Sequence, residues 1–219
     1  MADSTLEKIR VTEIFASLQG ESSWAGLPCV FIRLTGCPLR CAWCDTRYAY
    51  TGGEERTVGD IVRKVQAFGL PLVEVTGGEP LAQEACIPLL EELLRSGFRV
   101  LLETSGSVDI GPVPEDVIRI VDVKCPGSGE ENRNFWQNLK KLRSRDEVKF
   151  VIRDAADYDY ARDVIGRFGL EGRFGILLSP VSGELESAQL SEWMLRDRLN
   201  ARLNLQLHKM IWNPDAQGR

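Results

Sequence analysis

Three cysteines that lie close together in the chain carry the clearest chemical signal. Cys37, Cys41 and Cys44 have the spacing C-x₃-C-x₂-C. Cysteine thiolates bind zinc or iron–sulfur clusters, but structural zinc sites use four protein ligands, commonly as two short pairs. Three thiolates on a cluster of four irons leave one iron without a protein ligand, and that iron can chelate the amine and carboxylate of a small molecule. The spacing therefore predicts a 4Fe–4S cluster with one open iron.

Other interpretations of the cysteines stay open at this point. A structural zinc site would need a fourth ligand from Cys29, Cys125 or His208, and ordinary core or loop cysteines are a further alternative. His208 is the single histidine, which excludes sites built from two or three imidazoles. A disulfide framework is not expected, because the chain has a well-stocked core and no export signal. We expect Cys29, Cys86 and Cys125 to be small core residues.

Composition and charge limit the classes of function. The chain has 219 residues, of which 43% are hydrophobic and 27% charged, with a formal net charge of -5. These values predict one folded domain over residues 1–219 and exclude a disordered chain. The acidic balance argues against a nucleic acid partner, because phosphate backbones bind clustered Lys and Arg. No apolar window approaches the roughly 18 residues of a membrane helix, and the chain starts with polar residues, so we expect a cytoplasmic protein with no membrane partner.

Strands alternate with helices along the chain. Thr57 offers a hydroxyl cap for one helix, and Pro80 is expected to open another, whose leucines repeat at helical spacing until Gly97. Apolar strands that alternate with helices indicate a parallel sheet covered by helices. Runs of β-branched or apolar residues predict six strands, at 29–34, 72–76, 98–103, 117–123, 147–152 and 173–178, with a seventh at 203–207.

The chain is too short for a complete eightfold barrel, which typically takes about 250 residues. We therefore expect an α/β fold, an open and partial TIM-like barrel of about six parallel strands with fewer helices than a full barrel. In such folds the reactive residues collect at the C-terminal ends of the strands. The cysteine segment follows the first predicted strand and belongs at that edge.

Residues that follow other strands belong at the same edge. Gly77 and Gly78 come after the second strand, where residues without side chains let the backbone approach a zwitterionic ligand; a tight strand-to-helix turn is the alternative. Glu103 ends the third predicted strand, and Lys124 follows the fourth. The carboxylate suits an amine or a ribose hydroxyl and the lysine suits a carboxylate, although a solvent-facing salt bridge would use the same residues. Trp43 either packs near an adenine ring or shields a cluster from water.

Seven segments together resemble a known family. The cysteine spacing is similar to the signature of radical S-adenosylmethionine (SAM) enzymes. The complete set resembles, more narrowly, the 7-carboxy-7-deazaguanine synthases of queuosine and 7-deazapurine biosynthesis. The segments are 17–21 (SLQGE), 31–33 (FIR), 44–46 (CDT), 76–80 (TGGEP), 103–106 (ETSG), 122–126 (DVKCP) and 205–209 (LQLHK).

The resemblance implies a lyase reaction. The cluster on Cys37, Cys41 and Cys44 would bind SAM and cleave it to a 5′-deoxyadenosyl radical. That radical would take a hydrogen atom from carbon 6 of 6-carboxy-5,6,7,8-tetrahydropterin. Ring contraction and loss of ammonia would then give 7-carboxy-7-deazaguanine. The protein would position and shield the reactants while the cofactors supply the difficult chemistry.

The resemblance also implies site residues. Thr46 is a magnesium ligand by resemblance, although the residues alone indicate a helix cap after Asp45. The pair at 179–180 departs from the Gln-Pro pair expected in the family. The residues assigned to the cofactor are Trp43, Gly78, Glu103, Asp122, Val123, Lys124, Ser179 and Pro180. The residues assigned to the substrate are Leu18, Gln19, Gly20, Arg33, Thr76 and His208, with Arg33 offering a guanidinium fork to the substrate carboxylate.

Partners and rival functions complete the expectations. A homodimer and a reducing partner such as flavodoxin or ferredoxin are expected from the family. The first rival is an activase of the same superfamily that installs a glycyl radical on a protein partner. An activase should lack the segments at 18–20 and 206–209, so these segments argue against it. The second rival is a zinc or electron-transfer module without enzymatic activity, which metal analysis distinguishes.

Overall fold

Parallel strands form the centre of the fold, as the alternation of strands and helices predicts. The computed structural model describes residues 4–212 and residue 218. Over these residues nine strands form one sheet: β1 (Lys8–Leu18), β2 (Pro28–Leu34), β3 (Glu54–Thr57), β4 (Leu72–Gly77), β5 (Arg99–Thr104), β6 (Ile118–Asp122), β7 (Glu147–Ile152), β8 (Gly175–Pro180) and β9 (Arg202–Leu203). The helices are α1 (Val58–Gln66), α2 (Cys86–Arg95), α3 (Asn138–Lys141), α4 (Ala155–Phe168), α5 (Ser187–Asp197) and α6 (Leu207–Ile211).

The sheet is open, which confirms the predicted partial barrel. Its strand order is β3-β1-β2-β4-β5-β6-β7-β8-β9. Every pairing from β2 through β9 is parallel, whereas β1 pairs antiparallel with both β2 and β3. In the register of β2 and β4, Arg33 lies opposite Thr76. The parallel strands therefore bring these two predicted substrate residues together.

The two antiparallel strands were not predicted. Strand β1 alternates buried and exposed residues along KIRVTEIFASL, and β3 has the polar sequence EERT. A search for continuous apolar runs finds strands that are buried on both faces and misses strands at a solvated edge of the sheet.

The predicted helix cap at Thr57 is confirmed, but the predicted start of the second helix at Pro80 is wrong. The Thr57 hydroxyl accepts a hydrogen bond from the Asp60 amide at 3.1 Å and caps α1. Pro80 opens only a 3₁₀ turn, Pro80–Ala82, and α2 begins at Cys86. The chain leaves the helical conformation at Gln83, whose side-chain amide donates to the backbone oxygens of Arg10 and Thr35 at 2.9 Å. Those contacts with β1 and the residue after β2 hold Gln83 in an extended conformation.

The last predicted strand is shorter than expected. Strand β9 ends at Leu203, and α6 begins at Leu207. Asn204 still donates its amide to the Leu178 oxygen at 2.8 Å, but its side chain bonds to Ser179 at the same distance. Leu207 then donates to the Gly20 oxygen, so the chain turns toward the end of β1 instead of continuing along the sheet.

Apolar side chains pack on both faces of the sheet. One buried cluster lies under α1 and α2 and includes Cys86, and a second lies under α4 and α5 and includes Cys125. A third cluster contains Cys29 together with Phe31 and Leu101. The expectation that these three cysteines are core residues is confirmed. In residues 4–212, no helix has the length and hydropathy that crossing a bilayer requires.

Candidate active site

A cavity of about 800 Å³ opens at the C-terminal ends of the parallel strands. The residues that follow β2, β4, β5 and β6, and the end of β8, contribute to its wall, as the fold class predicts. Every site residue predicted from the sequence lines this cavity except Val123. Val123 is buried in the cluster under α4 and α5, and its amide donates to the Lys149 oxygen at 2.8 Å. The side chain of Val123 therefore belongs to the core.

The three cysteines of the C-x₃-C-x₂-C segment line the cavity as free thiols. Burial raises the pKa of Cys37 and of Cys41, and the nearby Lys124 ammonium opposes this increase at both thiols. A cation beside these thiols favours the thiolate form that binds metal.

The donor set fits an iron–sulfur cluster better than a single zinc ion. Over residues 4–212 and 218, no three His, Cys, Asp or Glu side chains converge as ligands of one metal ion. In a cluster of four irons, each thiolate binds a different iron, so the three sulfurs need not meet at a point. Cys29 and Cys125 are buried in the core and are not part of the cavity wall, so neither serves as the fourth zinc ligand.

The turn after β4 is held against the cysteine loop. The Gly78 amide donates to the Leu34 oxygen at 3.2 Å, and the Glu79 amide donates to the Gly36 oxygen at 2.8 Å. A Cβ atom on Gly78 would lie 2.8 Å from the Cβ atom of Cys37. Gly78 is therefore required for the close approach of the two segments, and its backbone faces the cavity beside the cysteines.

A buried carboxylate joins the turns after β4 and β5. Glu79 is fully buried and accepts hydrogen bonds from the Thr104 hydroxyl at 2.9 Å, the Ser105 amide at 2.7 Å and the Leu81 amide at 3.0 Å. Glu79 lies in the segment TGGEP, and Thr104 and Ser105 lie in the segment ETSG. The two segments therefore form one hydrogen-bonded unit at the cavity.

Asp122 and Lys124 form an ion pair in the cavity wall. The Lys124 ammonium lies 2.7 Å from Oδ2 of Asp122. Burial lowers the pKa of Lys124, but Asp122 and the Cys41 thiol more than offset this effect, so the net pKa is raised. Oδ1 of Asp122 is buried and has no hydrogen-bond partner among the described residues. An unpaired buried acceptor in a cavity is suited to a ligand donor such as a ribose hydroxyl.

Lys149 lies between two carboxylates on the same wall. Its ammonium contacts Glu21 and lies 2.8 Å from Oε1 of Glu103. Glu74 is also buried there and accepts a hydrogen bond from the side chain of Gln19. The side-chain oxygen of Gln19 accepts a hydrogen bond from the Glu21 backbone amide at 3.0 Å. The side-chain amide of Gln19 is thus held by the protein, so its predicted substrate contact is left to the backbone of residues 18–20.

Arg33, on β2, contacts Glu13 and Tyr48. Its Nε donates to Glu13 at 2.7 Å, and its guanidinium lies 5.9 Å from the ring centre of Tyr48. The Tyr48 hydroxyl donates to the same Glu13 oxygen at 2.8 Å. Because the bond to Glu13 uses Nε, the two Nη groups of Arg33 remain as donors for a substrate carboxylate.

Helix α6 connects the cysteine loop with the end of β1. Gln206 donates to Glu21 at 2.9 Å, and the Lys209 ammonium lies 3.1 Å from Oδ2 of Asp45. His208 lines the cavity, and burial lowers its pKa. A Cβ atom on Gly20 would lie 3.0 Å from Cγ of His208, so these two predicted substrate residues pack directly against each other.

Thr46 and Ser179 differ in how their hydroxyls are used. The Thr46 hydroxyl donates to Oδ1 of Asp45 at 2.9 Å and makes no hydrogen bond to the turn Arg47–Ala49 that follows it. The helix-cap interpretation of Thr46 is therefore wrong. The Ser179 hydroxyl is buried and accepts from Asn204, so the residue that replaces the expected Gln is tied to the chain segment after β9.

Comparisons with known proteins agree with this arrangement. The family model of the radical SAM superfamily matches residues 31–126. The 7-carboxy-7-deazaguanine synthase of Koribacter versatilis is 45% identical over 96% of this chain and 100% of its own length. The synthase of Chlorobaculum tepidum is 46% identical, over 98% of this chain and 99% of its own length. The chain belongs to the 7-carboxy-7-deazaguanine synthase family.

Solved structures give the same result for the fold. The crystal structure of QueE from Escherichia coli covers 92% of this chain and 95% of its own, with a TM-score of 0.76 and 26% identity. Streptococcus suis SuiB has a TM-score of 0.59 over 78% of this chain at 13% identity, and this likeness shows the fold alone. Membership in the synthase family makes the chain a radical SAM lyase, a class that uses a 4Fe–4S cluster and SAM. The activase and zinc-module alternatives are therefore set aside.

The charged residues Glu21, Glu74 and Lys149 were not among the predicted site residues. Alternation along β7 could have identified Lys149, because Val148, Phe150 and Ile152 pack in the core under α4. A strand with period two then directs Lys149 to the opposite face, where the cavity lies. The same reasoning applies to Glu74, whose neighbours Val73 and Val75 pack in the core under α1 and α2.

Proposed function

We propose that this chain converts 6-carboxy-5,6,7,8-tetrahydropterin to 7-carboxy-7-deazaguanine with loss of ammonia. The observation that carries the proposal is that one cavity has in its wall the C-x₃-C-x₂-C thiols, Asp122 with Lys124, and Arg33. Relatives that span nearly the whole chain are named as synthases of this product. The wall thus offers cysteines for a cluster, groups for SAM and a cation for the substrate carboxylate.

The cofactor side is assigned to the cysteine loop and the strand ends next to it. Cys37, Cys41 and Cys44 would hold the cluster, which together with SAM supplies a 5′-deoxyadenosyl radical for hydrogen abstraction. The backbone oxygen of Gly78 would accept a hydrogen bond from the amino group of SAM. Oδ1 of Asp122 would accept one from a ribose hydroxyl. The other cofactor contacts in the proposal are Trp43, Lys124, Ser179 and Pro180, which line the same wall.

The substrate side is assigned to β1, β2, β4 and α6. Arg33 would bind the carboxylate through its Nη groups, because Glu13 already occupies Nε. The backbone of residues 18–20 and Thr76 would bind the ring. His208, held against Gly20, would close the cavity over it and exclude water.

A magnesium ion is part of the proposal. Thr46 and Asp45 present a hydroxyl and a carboxylate beside each other in the cavity wall. Magnesium prefers oxygen ligands and keeps several waters, so these groups and a substrate carboxylate suit it. The ion would orient that carboxylate. We further propose a single domain over residues 1–219, a homodimer, a flavodoxin or ferredoxin as the reductant, and a cytoplasmic location.

Anaerobic reconstitution followed by an assay tests the proposal. Protein supplied with iron and sulfide should bind about four of each per chain. With the carboxytetrahydropterin, SAM, magnesium and a reductant, it should then form 7-carboxy-7-deazaguanine. Cys44→Ala should lose this activity, whereas the matched variant Cys86→Ala, in the core under α1 and α2, should retain it. A fully loaded cluster without product would contradict the proposal.

A further inference from the structure

Lys149 and the carboxylates around it form a charged group that the proposed chemistry does not yet use. The Lys149 ammonium contacts Glu21 and Glu103, and Glu74 is buried beside them. Burying charges costs several kcal/mol per ion unless they are paired and hydrogen-bonded. A group of this kind in the wall of a ligand cavity therefore calls for a functional explanation.

The two carboxylates that contact Lys149 differ in how many acceptor positions remain free. A carboxylate has about four lone-pair positions for hydrogen bonds. Glu21 accepts from Gln206 at 2.9 Å, from Asn204 at 3.1 Å and from Lys149. Glu103 accepts from Lys149 at 2.8 Å and, through Oε2, from the Thr76 hydroxyl at 3.3 Å. Glu103 thus retains more acceptor capacity, and its side chain is 28% exposed against 17% for Glu21.

The surroundings shift the pKa values of Glu74 and Glu103 in opposite directions. Burial, followed by the charges of Glu103 and Glu21, raises the pKa of Glu74 well above its ordinary value. Burial also raises the pKa of Glu103, but Lys149 more than offsets this effect and the net pKa is lowered. Glu103 lines the cavity and is paired with the Lys149 ammonium, which favours its ionised form.

This carboxylate matches one edge of the proposed substrate, and the inference rests on the proposed function. The ring of a 2-amino-4-oxopteridine carries an exocyclic amino group next to a ring N–H. Two parallel donors of this kind fit the two oxygens of a carboxylate, as in bidentate pairs with arginine. We propose that Glu103 binds the 2-amino and N–H edge of the pterin, and that Lys149 is the positioning residue that holds Glu103 in place. Glu103 then belongs to the substrate side and not to the cofactor side to which the sequence analysis assigned it.

The proposed contact makes the site selective for the 2-amino group. A ring with a carbonyl oxygen at carbon 2 would bring an acceptor against the Glu103 carboxylate, and the two would repel. Bidentate contacts of this type give the two rings dissociation constants that differ by about tenfold to a hundredfold.

Equilibrium binding of two probes tests the inference without turnover. The probes are pterin-6-carboxylate and lumazine-6-carboxylate, in which a carbonyl oxygen replaces the 2-amino group. Their fluorescence reports Kd for anaerobic, cluster-loaded protein with SAM. The wild type should bind the pterin about tenfold to a hundredfold more tightly. In Glu103→Gln and in Lys149→Met, the ratio of the lumazine Kd to the pterin Kd should fall to about threefold or less. Lys149→Arg keeps the cation and should retain part of the preference.

A double variant and a surface control separate positioning from simple destabilisation. If Lys149 acts through Glu103, adding Lys149→Met to Glu103→Gln should change the ratio no further. Lys141→Met makes the same substitution at a surface ion pair, with Asp109, and should leave the ratio unchanged. If Lys149→Met does not fold, Glu103→Gln alone decides the test.

The outcomes distinguish this inference from the proposed function. A wild-type preference for the pterin that both variants retain would overturn the roles of Glu103 and Lys149 and leave the proposed function standing. A wild-type protein that binds neither probe would contradict the proposed substrate class and the inference with it.

Discussion

Glu79 connects the turns after β4 and β5 through a buried carboxylate. Its oxygens accept from Thr104, Ser105 and Leu81. We expect Glu79→Gln to lower the free energy of unfolding by about 1–3 kcal/mol, because an amide NH₂ would face N–H and O–H donors that then lose their acceptor. Chemical denaturation measures the change.

The matched control for this variant is Glu84→Gln, which makes the same chemical change at an exposed position. It should alter the free energy of unfolding by less than about 0.5 kcal/mol. Equal stabilities for Glu79→Gln and Glu84→Gln would show that the buried carboxylate is not needed to join the two turns.

The contact between Gly20 and His208 gives a second prediction. A Cβ atom on Gly20 would overlap the imidazole, so Gly20→Ala should displace His208 from the cavity. We expect KM for the pterin to rise by about tenfold or more, because small displacements of positioning groups have large effects. Steady-state kinetics of the reconstituted enzyme measure the change.

Gly166→Ala is the control for the Gly20 variant. Gly166 lies on the exposed side of α4, and no atom lies within 4 Å of a Cβ atom built there. This substitution should leave KM unchanged and stabilise the helix by about 0.5–1 kcal/mol. If Gly20→Ala also leaves KM unchanged, His208 does not close over the substrate.

The sequence predicts much of the cavity wall, because residues that follow parallel strands meet at one edge. This reasoning identifies Gly78, Glu103 and Lys124 before any coordinates are known. It misses Lys149, which lies inside a strand, and the resemblance fails for Val123, whose side chain is buried in the core. The sequence also does not predict which charged residues pair with each other. Glu103 pairs with Lys149, and Lys124 pairs with Asp122.

At the scale of elements, the first turn of α4 fixes the segment after β6. Asp154 caps the helix by accepting from the Asp157 amide at 3.1 Å. Asp157 is buried and accepts from the Gly127 amide at 2.7 Å and the Arg153 amide at 3.1 Å. The helix start therefore holds Gly127, which follows the strand that carries Asp122.

This cap predicts a pH-dependent contribution to stability. The hydrogen bond from the Asp157 amide lowers the pKa of Asp154. A lowered folded-state pKa contributes stability above the unfolded value of about 3.9, and that stability is lost as pH falls through the folded pKa. Asp154→Ala should lower the free energy of unfolding by about 0.5–1 kcal/mol at pH 7, and the difference from wild type should shrink below about pH 4.

Asp154→Asn separates the cap from its charge. Asparagine caps helices about as well as aspartate but does not titrate, so its stability should follow the wild type at pH 7. Urea denaturation at several pH values measures both variants. A loss for Asp154→Ala that is the same at pH 3 and pH 7 would contradict the ionised cap.

The elements themselves were predictable where the core decides them. The six predicted strands are buried on both faces and are rich in apolar residues, whereas β1 alternates buried and exposed residues and β3 is polar. Pro80 fails as a helix start because Gln83 is held by contacts with Arg10 and Thr35. Long-range contacts of this kind override local propensity, and a single sequence does not reveal them.

At the scale of the whole molecule, the cavity lies on strands whose other side chains pack in two separate core clusters. One packs under α1 and α2, the other under α4 and α5, and the cavity wall takes residues from strands of both. A ligand in the cavity should therefore stabilise the entire fold. SAM at 100 times its Kd should add about 2.7 kcal/mol to cluster-loaded protein and raise its unfolding temperature.

Differential scanning under anaerobic conditions measures this effect. Cys44→Ala, which removes one proposed cluster ligand, should show no increase when SAM is added. An equal increase in both proteins would mean that SAM binds independently of the cysteine loop.

The hydrogen bonds that join residues 20–22 to residues 204–207 have a consequence for how the protein is made. The Ser22 amide donates to Asn204 at 2.7 Å across 182 positions of the chain. A ribosome releases the sheet strand by strand from the amino end, so the residues near Gly20 lack these hydrogen bonds until residues 204–207 have been translated. Iron that reaches the nascent chain would meet an incomplete cavity. We therefore expect the cluster to be assembled after synthesis of the chain and not during it.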